Sequence, residues 1–181
     1  MFYRFVNIVH FNGKGILLIR NPFKAILSAF RHKHFGAHSD SEIKTRINVL
    51  GALQSKQDEN KRINVDYFEK YALSHIKLWR EIIEHWITLG EVLVVHFEDV
   101  VDDKVYEVER VLGFLHTALD KRRMECMKYA SLDFYRRRSK IMQQNLYSEQ
   151  ISSIFKKNIH IVNDLLEQFG HRGIPYAKYK L

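Results

Sequence analysis

Ile19-Arg20-Asn21-Pro22, followed by Ser28, is the part of this chain whose residue types and spacing suit binding chemistry. Arg20 closes the aliphatic run Ile16–Ile19, and a second apolar segment starts immediately after it. An arginine is costly to bury unless its head reaches water or an anion. Asn21 is a good N-cap and Pro22 a good first helical residue, so a helix is predicted to begin where the strand ends. Free backbone N–H groups and the helix dipole make that junction attractive to an anion. A guanidinium adds a planar fork that matches two phosphate oxygens. Ser28 lies seven residues after Asn21, about two helical turns on, and so shares a helix face with the cap. Arg20 and Ser28 could therefore hold one phosphate between them. The plainer alternative is an arginine that caps a helix or pairs with an acid, beside a serine that merely fills a helix surface.

The elements that must position these residues follow from patterning. Phe5–Phe11 reads as a strand, and Asn12-Gly13 suits a hairpin turn into the next one. Ile16–Ile19 lacks polar alternation and is predicted to be a strand buried on both faces. Helix is predicted from Asn21 to about Lys33, stopped by Gly36. Residues 36–62 are polar and poorly periodic and read as a variable insertion, with room for a helix around Glu42–Gln54. Phe68, Tyr71, Ile76, Trp79, Ile83 and Trp86 recur at helical steps, predicting a helix over Asp66–Leu89 that Gly90 ends. Val92–Phe97 is a second solid apolar strand, with helices predicted over Val101–Leu115 and Asp120–Tyr129. A basic stretch, Phe134–Lys140, precedes a last helix capped by Ser148 and closed by Gly170. Two buried strands separated by helices predict a three-layer α/β architecture with a small parallel sheet. Ligands in such sheets sit at the carboxyl ends of the strands. Arg20 marks one such end, and His96, Glu98 and Asp99 mark another.

Composition narrows the partner. The 181 residues suffice for a single domain, 1–181, with a sizeable core. A net charge of +8 favours anionic ligands without choosing among them. The lone Cys126 allows no disulfide within the chain. No aliphatic run approaches the roughly 20 residues of a membrane helix. The chain carries no signal-like N-terminus either, so a soluble chain without a targeting segment is expected.

Taken in order, several motifs resemble the sulfotransferase family. They are Ile19-Arg20-Asn21-Pro22 with Ser28, the helix bearing Trp79 and Trp86, Gly90, and Val92-Leu93-Val94-Val95-His96-Phe97-Glu98-Asp99. Phe134–Arg138, the helix over Ser148–Phe169 and Gly173-Ile174-Pro175-Tyr176 continue the likeness. It spans roughly Gly15 to the C-terminus, and 36–62 matches poorly. It is closest to the sulfotransferase domain of the WSC-domain-containing proteins, the sialate O-sulfotransferase type. The resemblance implies a P-loop-like α/β fold that transfers sulfuryl from PAPS (3′-phosphoadenosine 5′-phosphosulfate) to a hydroxyl on a sialylated or other glycan. Arg20 and Ser28 would take the 3′-phosphate of PAPS, with one or more of Arg136, Arg137 and Arg138 closing over it. Members of the family are Golgi membrane proteins that face the lumen.

The family's first strand and 5′-phosphosulfate loop are expected upstream of the Arg-Asn-Pro element. Only Met1–Lys14 precede the first core strand here, and no Gly-x-x-x-x-Gly-Lys-Ser/Thr loop occurs. The chain is therefore expected to be a partial domain, incomplete at its N-terminus. Its alternative reading is a catalytically inactive nucleotide- or glycan-binding remnant. His10 is the one histidine near the place of the family's general base, without the expected Lys-Thr-His context. His32, His34 and His38 are loosely spaced and no Cys or carboxylate joins them, so no metal is expected. Lys121–Lys140 holds eight basic residues and reads as a solvated face. A basic nucleic-acid binder is the third reading, but aromatic interleaving is thin and no nucleic acid is expected as partner.

Overall fold

Among the described residues, backbone hydrogen bonding builds a three-stranded sheet. Val6–Phe11 (β1) runs antiparallel to Lys14–Ile19 (β2), and Val92–His96 (β3) joins β2 in parallel. The structure, a computed structural model, describes residues 6–11, 14–35, 59–129 and 146–179. Phe11 pairs with Lys14, a register that leaves room for a two-residue connection; Asn12 and Gly13 lie outside the described residues. The mixed α/β class and the small parallel sheet expected from the sequence are present.

Residues of β2 alternate in burial. Leu17 and Ile19 are fully buried, whereas Ile16 and Leu18 are only half-buried. This corrects the expectation of a strand buried on both faces. The reason lies in the packing: Leu17, Ile19 and their neighbour Val94 belong to one core cluster with the long helices, and Ile16 and Leu18 do not.

Among the described residues, six α-helices follow from local signals. Pro22–Phe35 (α1) starts where the Asn21 side chain accepts the Phe23 N–H at 3.0 Å. Glu59–Ile87 (α2) begins seven residues before the predicted start at Asp66. The predicted helix over Glu42–Gln54 lies outside the described residues. Phe68, Ala72, Ile76, Trp79 and Ile83 form the buried stripe of α2, and Trp86 packs half-buried at its edge. Gly90 takes φ +133°, a left-handed backbone that suits glycine and breaks the helix from β3.

The helix predicted over Val101–Leu115 is two helices, Phe97–Asp102 (α3) and Lys104–Phe114 (α4). Asp103 separates them because its side chain accepts the Tyr106 N–H at 3.0 Å, the cap that starts α4. Lys121–Tyr129 (α5) is capped by Asp120 in the same way, with its carboxylate accepting the Arg122 and Arg123 N–H groups. Ser148 caps Glu149–Gln168 (α6), as its hydroxyl and the periodicity predicted.

Helices α1, α2 and α6 cover the buried face of the sheet. Phe23, Phe68, Tyr147 and Phe155 meet there edge to face or tilted, with centroids 4.7–5.3 Å apart. The Tyr147 hydroxyl donates to the Phe23 carbonyl at 2.7 Å, so its polar end is not stranded in the apolar cluster.

The chain then returns over α6. Ile174 is buried and its N–H donates to Asn163 Oδ1 at 2.8 Å, while the Asn163 amide donates to Glu167. Gly173 fits beneath this pair: a Cβ there would lie 2.8 Å from Asn163 Oδ1 and 3.0 Å from Glu167 Oε1. Gly173→Ala is expected to displace Asn163 from the Ile174 N–H and cost about 1 kcal/mol. A denaturant melt that matches the wild type would show that the turn tolerates the methyl.

Candidate functional site

The parallel register sets the site. Ile19 pairs with His96, so the residues that follow each strand, Arg20-Asn21 and Phe97-Glu98-Asp99, emerge side by side at the carboxyl edge of the sheet. Arg20 lies with its guanidinium carbon 4.6 Å from the centroid of the Phe97 ring. Asn21, fully buried, donates its backbone N–H to Glu98 Oε1 at 3.1 Å. The first donor of the α1 N-terminus is thus taken by the protein's own carboxylate.

Arg20 is half-buried, and its Nε is enclosed without a hydrogen-bond partner. Among the described residues, no side chain forms an ion pair with the guanidinium. Burial lowers its pKa, and the nearby Glu98 charge works against that shift. Glu98 is buried, and burial raises its pKa. The N–H bonds from Asn21 and from its own backbone, and then the charges of Arg20 and Lys24, oppose the rise without cancelling it. Its Oε2 has no described partner.

The second acid is held differently. Asp99, also buried, meets Arg172 at 3.1 Å and Lys178 at 2.7 Å. Lys178 reaches Asp102 at 2.6 Å, and Arg172 reaches the buried Glu107 at 3.3 Å. The ring of His96 donates from Nε2 to the Arg172 carbonyl at 3.2 Å, and burial lowers its pKa. The His96, Glu98 and Asp99 corner is thereby tied into the fold, with both acids in the first turn of α3. Lys24, Arg172, Lys178 and Tyr179 were not singled out from sequence as neighbours of this corner. Lys24 belongs to the predicted α1, and the other three flank the Gly-Ile-Pro-Tyr tail, whose sequence gave no hint of where it docks.

The remaining sequence-predicted residues are placed as follows. Ser28 is exposed on α1, and its hydroxyl hydrogen-bonds to no described residue. Arg136, Arg137 and Arg138 lie outside the described residues. His10 pairs with Gly15 at the far end of β2 from Arg20. Five residues of strand separate them, on the order of 16 Å, so the sheet does not bring the two together. Among the described residues, no group of three or more His, Cys, Asp or Glu side chains is placed to hold a metal ion. Among them also, no helix is long and apolar enough to cross a membrane.

Comparison with known proteins decides the family. The family model of the sulfotransferase domain matches residues 6–161, which include both strand ends of the site. The chain belongs to the sulfotransferase domain family. Within that family it is similar to WSCD family members of insects. One from Drosophila melanogaster is 25% identical over 85% of this chain and 45% of its own length. One from Drosophila pseudoobscura pseudoobscura is 25% identical over 88% and 46%, and one from Aedes aegypti 26% over 75% and 39%. This sulfotransferase chain therefore spans under half the length of the curated relatives it matches. No solved structure gives a significant match.

In this sulfotransferase domain the carboxyl of Glu98 is the group whose charge state stability should report. Its folded pKa lies above the ordinary 4.5, so the folded protein holds that proton more tightly than the unfolded chain. Ionised Glu98 therefore costs stability, and the cost develops as pH rises from about 4.5 through the raised value. Glu98→Gln keeps an acceptor for the Asn21 N–H and removes the charge. The variant is expected to melt above the wild type at pH 7, with the gap closing toward pH 4.5. A wild type that gains stability relative to the variant as pH rises through that window would reverse the sign and refute the assignment.

Proposed function

We propose that this domain binds PAPS and serves sulfuryl transfer to a glycan hydroxyl. The observation that carries the proposal is the guanidinium of Arg20. It stands at the carboxyl end of a parallel strand, beside a helix N-terminus, with no donor spent on a described residue. A cation kept there without an ion-paired acid suits a doubly charged phosphate. In this reading Arg20 and the exposed Ser28 take the 3′-phosphate, and a residue among Arg136–Arg138 covers it. Residues 36–62 supply acceptor selectivity, and the domain works in the Golgi lumen as part of a longer protein.

In the transfer, the acceptor oxygen forms a bond to sulfur. The sulfur bond to the bridging oxygen breaks, and 3′-phosphoadenosine 5′-phosphate departs with the electron pair. The acceptor's proton leaves to a base that this reading does not assign to a described residue. Charge stabilisation and positioning do most of the work in such reactions.

Titration calorimetry with 3′-phosphoadenosine 5′-phosphate tests the binding step. Arg20→Ala is expected to weaken affinity by at least tenfold, since a charge-assisted bidentate contact is lost. Equal affinity in the variant and the wild type would remove Arg20 from the site. Radiolabelled sulfate transfer from PAPS to a sialylated acceptor tests the second step. Binding without transfer would assign the chain to nucleotide binding alone.

A further inference from the structure

We propose that Phe97 is a positioning residue that presents the Arg20 fork to the 3′-phosphate of the nucleotide. The inference rests on the reading of Arg20 given above and adds a residue to it.

Three observations carry it. First, the ring lies 4.6 Å from the guanidinium carbon, within the range of a cation–π contact. Second, the nearest acid does not compete for the fork. Glu98 spends Oε1 on the Asn21 N–H, and no ion pair joins it to Arg20. Third, both residues follow strands whose register is fixed by the Ile19–His96 pair, so ring and guanidinium are placed by the sheet and not by a mobile loop.

The physical consequence is specific. An arginine can be held in place by a carboxylate or by an aromatic face. A carboxylate consumes the planar donors that would otherwise meet a phosphate. A ring holds the guanidinium by its face and leaves the in-plane N–H groups for a ligand. Phe97 therefore fixes the orientation of Arg20 without using its donors, and Glu98 supplies counter-charge from outside ion-pair reach. An arginine at this place without the ring would sample more rotamers and lose affinity for the 3′-phosphate alone.

The experiment compares two nucleotides on three proteins: wild type, Phe97→Leu and Phe97→Tyr. 3′-Phosphoadenosine 5′-phosphate reads the 3′-phosphate contact, and adenosine 5′-phosphate lacks it. Phe97→Leu is expected to weaken the first by about three- to thirtyfold and to leave the second unchanged. Phe97→Tyr keeps a ring and is expected to restore the difference between the two nucleotides. Retained adenosine 5′-phosphate binding also shows that the leucine variant is folded. An equal loss for both nucleotides in Phe97→Leu would mean a general packing role and would overturn the proposal, as would no loss for either. If the wild type binds 3′-phosphoadenosine 5′-phosphate and Arg20→Ala abolishes it while Phe97→Leu is silent, this inference alone falls. If the wild type binds neither nucleotide, the reading of the site fails and the inference falls with it.

Discussion

The Asn21 N–H donates to Glu98 Oε1 across a separation of 77 residues, and the carboxyl edge of the sheet is organised around that bond. Asn21 has no exposed surface, so its N–H cannot turn to water. An unmet donor in such a place costs about 1–3 kcal/mol. Glu98 Oε1 removes that cost, although burial disfavours the charge of the carboxyl. The same bond locks the end of β2 to the start of α3. With those two segments fixed, the Arg20 guanidinium lies over the Phe97 ring.

A second layer of charge supports that edge from behind. Asp99 and Glu107 are buried acids, and the chain returning from α6 brings Arg172 and Lys178 to them. Arg110 also pairs with Glu107. The basic side chains remain partly exposed, so no single pair is a strong source of stability. Their importance is that a buried carboxylate without a cation is costly. The tail thus closes the corner electrostatically. The Ile174–Asn163 bond and the tight fit of Gly173 hold it in place mechanically. Burial on the sheet side and ion pairing on the tail side together keep the acids away from the Arg20 fork.

The two neighbouring acids are paired differently within a few residues. Glu98 is paired with a backbone donor and leaves Arg20 uncommitted. Asp99 lies within ion-pair reach of two cations, with Oδ1 accepting from Lys178 and Oδ2 buried 3.1 Å from Arg172. Swapping those roles would spend Arg20 on an acid and remove the anion site proposed for it. Membership of the sulfotransferase domain family, from the match over residues 6–161, gives this arrangement its chemical context.

Much of this was legible in the amino-acid order because it depends on local physics. The apolar runs of β2 and β3, the Asn21-Pro22 start of α1, the stripe on α2 and the Ser148 cap are set by neighbours a few residues away. The family was legible for a similar reason, since its motifs are short and ordered. Other features depend on groups far apart in the chain, and only the fold decided them. The half-covered face of β2 depends on where α1, α2 and α6 dock. That Arg20 meets a ring while Glu98 meets a backbone donor is a matter of strand register, a relation between segments over 70 residues apart. Hydrophobic periodicity reports which face of an element is buried. It carries no information on which side chain of another element will stand opposite, because that is fixed only when the sheet closes.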